Sequence, residues 1–191
     1  MIHTPYPVIL DACVLYPSPL RDLLMHLGIE GLFQPKWTEQ IQNEWQRNLL
    51  INRPDIDCSQ LKRTNMLMNK ALPDANVTDY ETIINGLELP DPDDRHVLAA
   101  AIKSKSEVIV TANLKDFPEE YLRQFDVEAI HPDEFIFDLL DLNAALVLRA
   151  VRAARSKMQK PPKSVDEYLD CLFRLSLTLT VTELQKYRLA I

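Results

Sequence analysis

Residues 89–117 read LPDPDDRHVLAAAIKSKSEVIVTANLKDF, and this stretch constrains the fold more tightly than any other. Pro92, Asp93 and Asp94 form a helix start, because proline tolerates the first turn and acids complement the positive end of the macrodipole. Val97, Leu98, Ala101 and Ile102 then recur at helical spacing. VIVTA follows as an apolar run without polar alternation, the signature of a parallel strand buried on both faces. A helix leading at once into such a strand is the closing half of a crossover unit, so the stretch predicts an α/β fold with a parallel sheet.

The segments around it extend that reading. PYPVIL is too short for a helix and predicts a first buried strand closed by Asp11. Ser18 and Pro19 predict the cap and first turn of a helix bearing Leu20, Leu23, Leu24 and Leu27, with Gly28 and Gly31 as stops. Thr38 should cap a second helix carrying Ile41, Trp45 and Leu49 on one face, with Pro54 limiting its far end. A third helix is expected over residues 59–71, and a further strand over 127–130. Two or three strands alternating with helices imply an open parallel sheet covered on both faces, assigned to residues 1–138. After His131 and Pro132 the strand signals cease, and helices are expected over 134–140, 143–158, 164–175 and 181–189. Residues 139–191 therefore read as an all-helical C-terminal extension, with Pro161 and Pro162 making a corner within it.

With 47% apolar residues, a chain of 191 can bury a real core. The first ten residues lack the basic start and long apolar run of a secretory signal, and no stretch reaches the length of a membrane span. A cytoplasmic protein with no membrane association is expected. Cys13, Cys58 and Cys171 are odd in number and widely spaced, which suits reduced small hydrophobes better than a disulfide or zinc framework. The net charge of −7 argues against a general nucleic-acid binder. That average conceals segregation: residues 1–138 carry 23 acids against 12 bases, whereas residues 139–191 carry 5 against 9.

Four acids stand where predicted elements begin or end or, for Glu44, at the border of an apolar helix stripe: Asp11, Glu44, Asp94 and Asp116. Ligands of open α/β sheets bind outside the carboxyl ends of the strands, where Asp11 and Asp116 should face one crevice. Asp94 joins them if its helix starts over the same edge. Carboxylates gathered within about 4 Å repel by roughly 4 kcal/mol per pair at an effective dielectric near 20, which calls for a counter-charge. Hard oxygen ligands without Cys or His suit Mg²⁺ or Mn²⁺, as one or two ions, and the implied chemistry is phosphodiester hydrolysis. Each acid also has a plainer explanation. Asp94 and Asp116 could cap helices and Glu44 could be a solvated helix charge, whereas Asp11, closing a buried strand, needs a partner.

These motifs resemble the PIN-domain nucleases of the VapC toxin type, in the longer variety with a helical C-terminal extension. The resemblance rests on VILDACVLYP with LRD following, WTEQIQNEWQRNL, PDPDDRHVLAAA and VIVTANLKDF, and it covers nearly the whole chain. It implies a PIN-like sheet flanked by helices, and it matches Asp11, Glu44, Asp94 and Asp116 to the family's metal-binding, catalytic acids. Asn113 matches a polar residue near them, and Asp91 and Asp93 are further acids in the same loop. Asp94 is preferred to Asp93 as the third ligand, with a slip of one position left open. The resemblance further implies an RNA substrate, Mg²⁺ or Mn²⁺, inhibition by a cognate antitoxin, and homodimers.

An acidic pocket needs basic side chains nearby to hold phosphate. Arg149, Arg152 and Arg155 recur along one side of a predicted helix, with Lys157, Lys160 and Lys163 beyond, and Arg21 lies near Asp11; solvated charge or an ion pair would explain them as well. His96 is left out of the catalytic set, and Trp37 and Trp45 are read as core. An aspartyl-phosphate phosphatase would want a second acid where Cys13 stands. A catalytically inactive PIN-like module that binds RNA or a partner, or a structure-specific DNA nuclease, remains an alternative to the ribonuclease.

Overall fold

The computed structural model describes residues 5–159 and 161–191. Lys160, one of the basic residues flagged above, and the first four residues of the expected N-terminal reading lie outside the described residues. In chain order the elements begin with β1 (Pro7–Leu10), α1 (Ala12–Leu15), α2 (Ser18–Ile29), β2 (Gln34–Lys36), α3 (Glu39–Asn52), α4 (Cys58–Ala71) and α5 (Glu81–Ile84). A 3-10 turn at Pro92–Asp94 leads into α6 (Arg95–Ser104), followed by β3 (Val108–Val110), a second 3-10 turn at Leu114–Asp116, α7 (Glu119–Leu122) and β4 (Glu128–Ile130). The remainder is helical: α8 (Pro132–Lys157), α9 (Val165–Phe173) and α10 (Thr178–Leu184).

The four strands form one sheet in the order β2-β1-β3-β4, and every pairing is parallel. Val8, Ile9 and Leu10 are completely buried because β1 has a neighbour on each side and helices over both faces. The register sets Leu10 opposite Val110, so the residues after these strands, Asp11 and Thr111, emerge side by side. Between β1 and β3 the chain reverses its lateral direction, and right-handed crossovers then put α2 and α6 on opposite faces. This reversal is the switch point where an open parallel sheet leaves a crevice.

β2 escaped the sequence reading. Its residues are Gln34, Pro35 and Lys36, which carry no strand signal, and Pro35 is tolerated because the strand lies at the sheet's edge. Two boundaries are corrected at α2. The helix begins at Ser18 with Pro17 in the cap position and no side-chain cap bond, so Ser18 is not the cap. Gly28 lies inside the helix rather than ending it, and a Cβ there would come within 2.3 Å of Pro35 Cγ, so the residue serves the close approach of α2 to β2. Gly31, at φ +75°, makes the stop.

Thr38 does cap α3, its hydroxyl accepting from Ile41 N at 3.0 Å. Trp37 and Trp45 are wholly buried, as expected. The two predicted helices 134–140 and 143–158 form one run, α8, broken at Asn143 (φ −156°, ψ 80°), whose side chain recaps the second half by accepting from Leu146 N at 3.2 Å. After the prolines, α9 starts in a full capping box between Ser164 and Glu167. Tyr168, Leu172, Val181 and Leu184 join the same apolar cluster as the strands, and Phe33 meets Phe135 edge to face at 5.0 Å. No helix among the described residues is long and apolar enough to cross a membrane.

Candidate active site

Asp11 is 4% exposed at the carboxyl end of β1, and its side chain is hydrogen-bonded within the β1/β3 seam. Its Oδ1 accepts from Ala12 N at 2.6 Å, and its Oδ2 accepts from the Thr111 hydroxyl at 2.7 Å and from the Cys13 thiol at 3.0 Å. Thr111 in turn accepts from Asn113 N at 3.0 Å, and Ala112 N donates to Cys13 Sγ at 3.2 Å. Burial raises the Asp11 carboxyl above its ordinary value, the Glu44 charge adds to this, and the three donors oppose it. Cys13 is a free thiol pushed upward by burial and by Asp11, so it stays protonated and donates. The sequence treated Cys13 as a small hydrophobe. Its role as a donor to Asp11 depends on the loop after β3, which local sequence does not reveal.

Asp94 reaches the same edge because α6 precedes β3 through a short loop and therefore runs back against the strands, which sets its N-terminus over their carboxyl ends. Although Asp94 occupies the cap position of α6, its side chain makes no capping hydrogen bond. Its carboxyl is pushed up to about 7, first by burial and then by the charges of Asp11, Asp91, Asp116 and Glu44. The remote acids are thus close enough to feel one another. Asp116 ends the Leu114–Asp116 turn, held by Asp116 N donating to Asn113 O at 3.0 Å, and it does not cap α7, whose cap position is Pro118 without a side-chain bond. Asp91 accepts from Asp93 N at 2.9 Å, which shapes the turn before α6.

Glu44 projects half-buried from α3, with its Oε2 3.3 Å from Nε2 of His96, which is 3% exposed. His96 gives no catalytic signal in the sequence; only the tertiary fold, with α6 packed on β1 and β3, makes it a neighbour of Glu44. Glu44, Asp94 and Asp116 line a cavity of about 730 Å³ together with Asp91, Asp93, Asn113, Arg47 and Tyr80; Asp11 is not part of its wall, but its charge acts on Asp94 and that of Glu44 acts on it. Among the described residues, no group of three or more His, Cys, Asp or Glu side chains is already set in the arrangement that grips a metal ion. The donor chemistry nevertheless suits a hard cation that keeps several waters and takes only a few carboxylates directly.

The basic candidates lie elsewhere. Arg21 is buried, its guanidinium stacked 4.5 Å from the Trp45 ring and donating to Leu15 O at 2.8 Å, so it pairs with none of the acids. Arg155 donates to Lys163 O at 2.8 Å and to Ile191 O at 3.3 Å, tying the chain beyond the proline corner back to α8. Arg149 is exposed and 3.3 Å from Glu30, and Arg152 is exposed on the same helix. None of the four lines the acidic cavity, whereas Arg47 does.

An open parallel sheet with acids gathered at its switch point, followed by a helical extension, defines a class that comparison with known families makes specific. The chain belongs to the PIN domain family, which matches residues 7–115, and the VapC50 C-terminal domain matches residues 132–186. The resemblance to the longer VapC-type proteins is borne out. Over 79 residues the chain is 42% identical to the protein named "Putative ribonuclease VapC50" from Mycobacterium tuberculosis (strain ATCC 25618 / H37Rv). That match covers 41% of this chain and 47% of the relative, so the chain spans about half the length of the curated relative it matches. No solved structure matches the chain.

Proposed function

We propose that this protein is a metal-dependent endoribonuclease that hydrolyses RNA phosphodiester bonds, acting as the toxin of a toxin–antitoxin pair. The observation that carries the reading is the crowding at Asp94: its carboxyl, on helical backbone past the Asp91 cap and with no capping bond of its own, shares one cavity with Glu44, Asp91 and Asp116 and is raised to about 7 by burial and by four neighbouring acids. Such frustration is maintained where a ligand resolves it. Asp11, Glu44, Asp94 and Asp116 would hold Mg²⁺ or Mn²⁺, with Asp91, Asp93 and Asn113 as nearby polar groups. When bound, the ion supplies a lowered pKa for a coordinated water and neutralises charge on the phosphoryl oxygens.

The protein's own residues prepare that site. Thr111, Cys13 and Ala12 N lock the Asp11 carboxylate in one orientation, so little ordering remains when a ligand arrives. His96 faces Glu44 from the first turn of α6, and the packing of α6 on β1 and β3 keeps the pair at the crevice. Arg47, on the exposed side of α3 at the cavity rim, is positioned to meet an incoming phosphate backbone, a task that Arg149 and Arg152 could share only outside the cavity. The name of the mycobacterial relative supports the ribonuclease reading, and the family resemblance supports a cognate antitoxin. Incubation of the purified chain with mixed RNA and Mn²⁺, beside EDTA and an Asp11→Asn variant, tests it. Metal-dependent cleavage lost in the variant is expected; equal cleavage by the variant would defeat the assignment.

A further inference from the structure

The acidic cavity has a neighbour. A second cavity of about 380 Å³ shares Glu44 and Asn113 with it, so the two meet at the metal-facing edge of α3. Among the described residues on its wall Glu44 alone is charged; the others include Tyr16, Asn48, Ile51 and Asn52. A space without a cation does not attract phosphate, but amides, a phenol hydroxyl and an apolar flank are the groups that read the edges of an unpaired base. Asn48 and Asn52 stand one turn apart on α3 and present their amides on one side. Asn52 Nδ2 donates to the Tyr16 hydroxyl at 3.1 Å, which leaves the hydroxyl proton and Asn52 Oδ1 for a ligand. The Tyr16 ring packs against the core, so this polar pair is held before anything binds.

Resting on the nuclease reading above, we propose that the second cavity is a nucleobase subsite in which Tyr16, Asn48 and Asn52 select the base beside the scissile phosphate of single-stranded RNA. A strand whose phosphate lies over the acids can seat the adjoining base across the shared Glu44 and Asn113 wall. Its sugar and phosphates stay outside, because the subsite offers them no positive charge.

The test is cleavage of a randomised single-stranded RNA pool by the full chain with Mn²⁺, followed by sequencing of the new ends. The wild type should prefer one base at a fixed position next to the cut. Tyr16→Phe, Asn48→Ala and Asn52→Ala should each weaken that preference by about tenfold, with a smaller loss in total turnover, since a good base contact carries roughly that discrimination. Tyr16→Phe keeps the ring, and Asn52 is exposed near the end of α3, so these two changes leave the packed core intact. Cleavage without base preference, or an unchanged preference in all three variants, overturns the subsite while leaving the nuclease standing; the latter is also what a pocket for a protein segment would give. Wild-type cleavage no greater than that of Asp11→Asn removes both.

Discussion

Two aspartates near helix starts, Asp94 and Asp133, show how one residue type can serve opposite purposes. Asp133, in the first turn of α8, is 5% exposed and fully occupied: Oδ2 accepts from Leu179 N at 2.8 Å and Thr178 Oγ1 at 3.2 Å, and Oδ1 accepts from Thr180 N at 2.8 Å. It thereby caps α10 from a distance, and the Thr180 hydroxyl returns a bond to Asp133 O at 3.0 Å. This carboxylate ties the start of α10 to the first turn of α8. Asp94 has helical backbone on one side and acids on the others, and it caps nothing. Hydrogen-bond satisfaction of the carboxylate separates Asp133 at the joint from Asp94 in the crevice.

The contrast can be broken most sharply by removing acids. In the crevice, Asp11→Asn or Asp116→Asn should lower RNA cleavage by more than about a hundredfold while the fold persists, as judged by circular dichroism and turnover on one RNA. Cleavage within a few-fold of wild type by either variant would place the chemistry elsewhere. At the joint, Asp133→Ala should cost on the order of 3 kcal/mol, because buried donors of α10 lose their acceptors, and limited proteolysis should then begin near residues 174–180. An unchanged denaturation midpoint would mean that α10 does not depend on this cap.

Smaller effects follow from the raised carboxyl. Asp94 rises from the ordinary 3.8 to about 7 in the folded, metal-free protein, so the native state holds a proton that the unfolded chain has released. The stability it contributes is complete below about pH 3.8 and is lost progressively as pH climbs to about 7. Asp11 is raised too and acts with the same sign. Urea midpoints in EDTA should therefore fall between pH 5 and pH 7.5, and Asp94→Asn should flatten that slope and raise the midpoint at pH 7.5. A wild-type slope retained in the variant would assign the proton to another group. Millimolar Mg²⁺ or Mn²⁺ at pH 7.5 should raise the wild-type melting temperature, and less so in Asp94→Asn. Identical shifts in both would detach Asp94 from the metal.

Much of the scaffold was legible because burial writes itself locally. β1 and β3 are unbroken apolar runs, α3 has its Thr38 cap, and α6 has a proline–acid start. β2 was not legible: an edge strand needs no apolar alternation, and Gln34–Lys36 is fixed by pairing with β1 and by the close approach of α2 at Pro35. In the crevice, Asp11, Glu44, Asp94 and Asp116 could be picked out as candidates, but their competing roles as caps could be weighed only once Asp94 and Asp116 were seen to cap nothing. His96, Thr111, Cys13 and Arg47 carry no signal of their own in one dimension. They matter through neighbours that are distant in the chain.

Periodicity, turn chemistry and the order of helix and strand are properties of adjacent residues, and from them the amino-acid order alone specified a parallel α/β sheet with a helical extension. Tertiary structure decided which charges confront each other, which find donors, and that Arg21 and Arg155 are spent on packing and backbone carbonyls rather than set beside the acids. Electrostatic interaction depends on distance and burial, and both are set only when remote segments such as β1 and the loop after β3 come together.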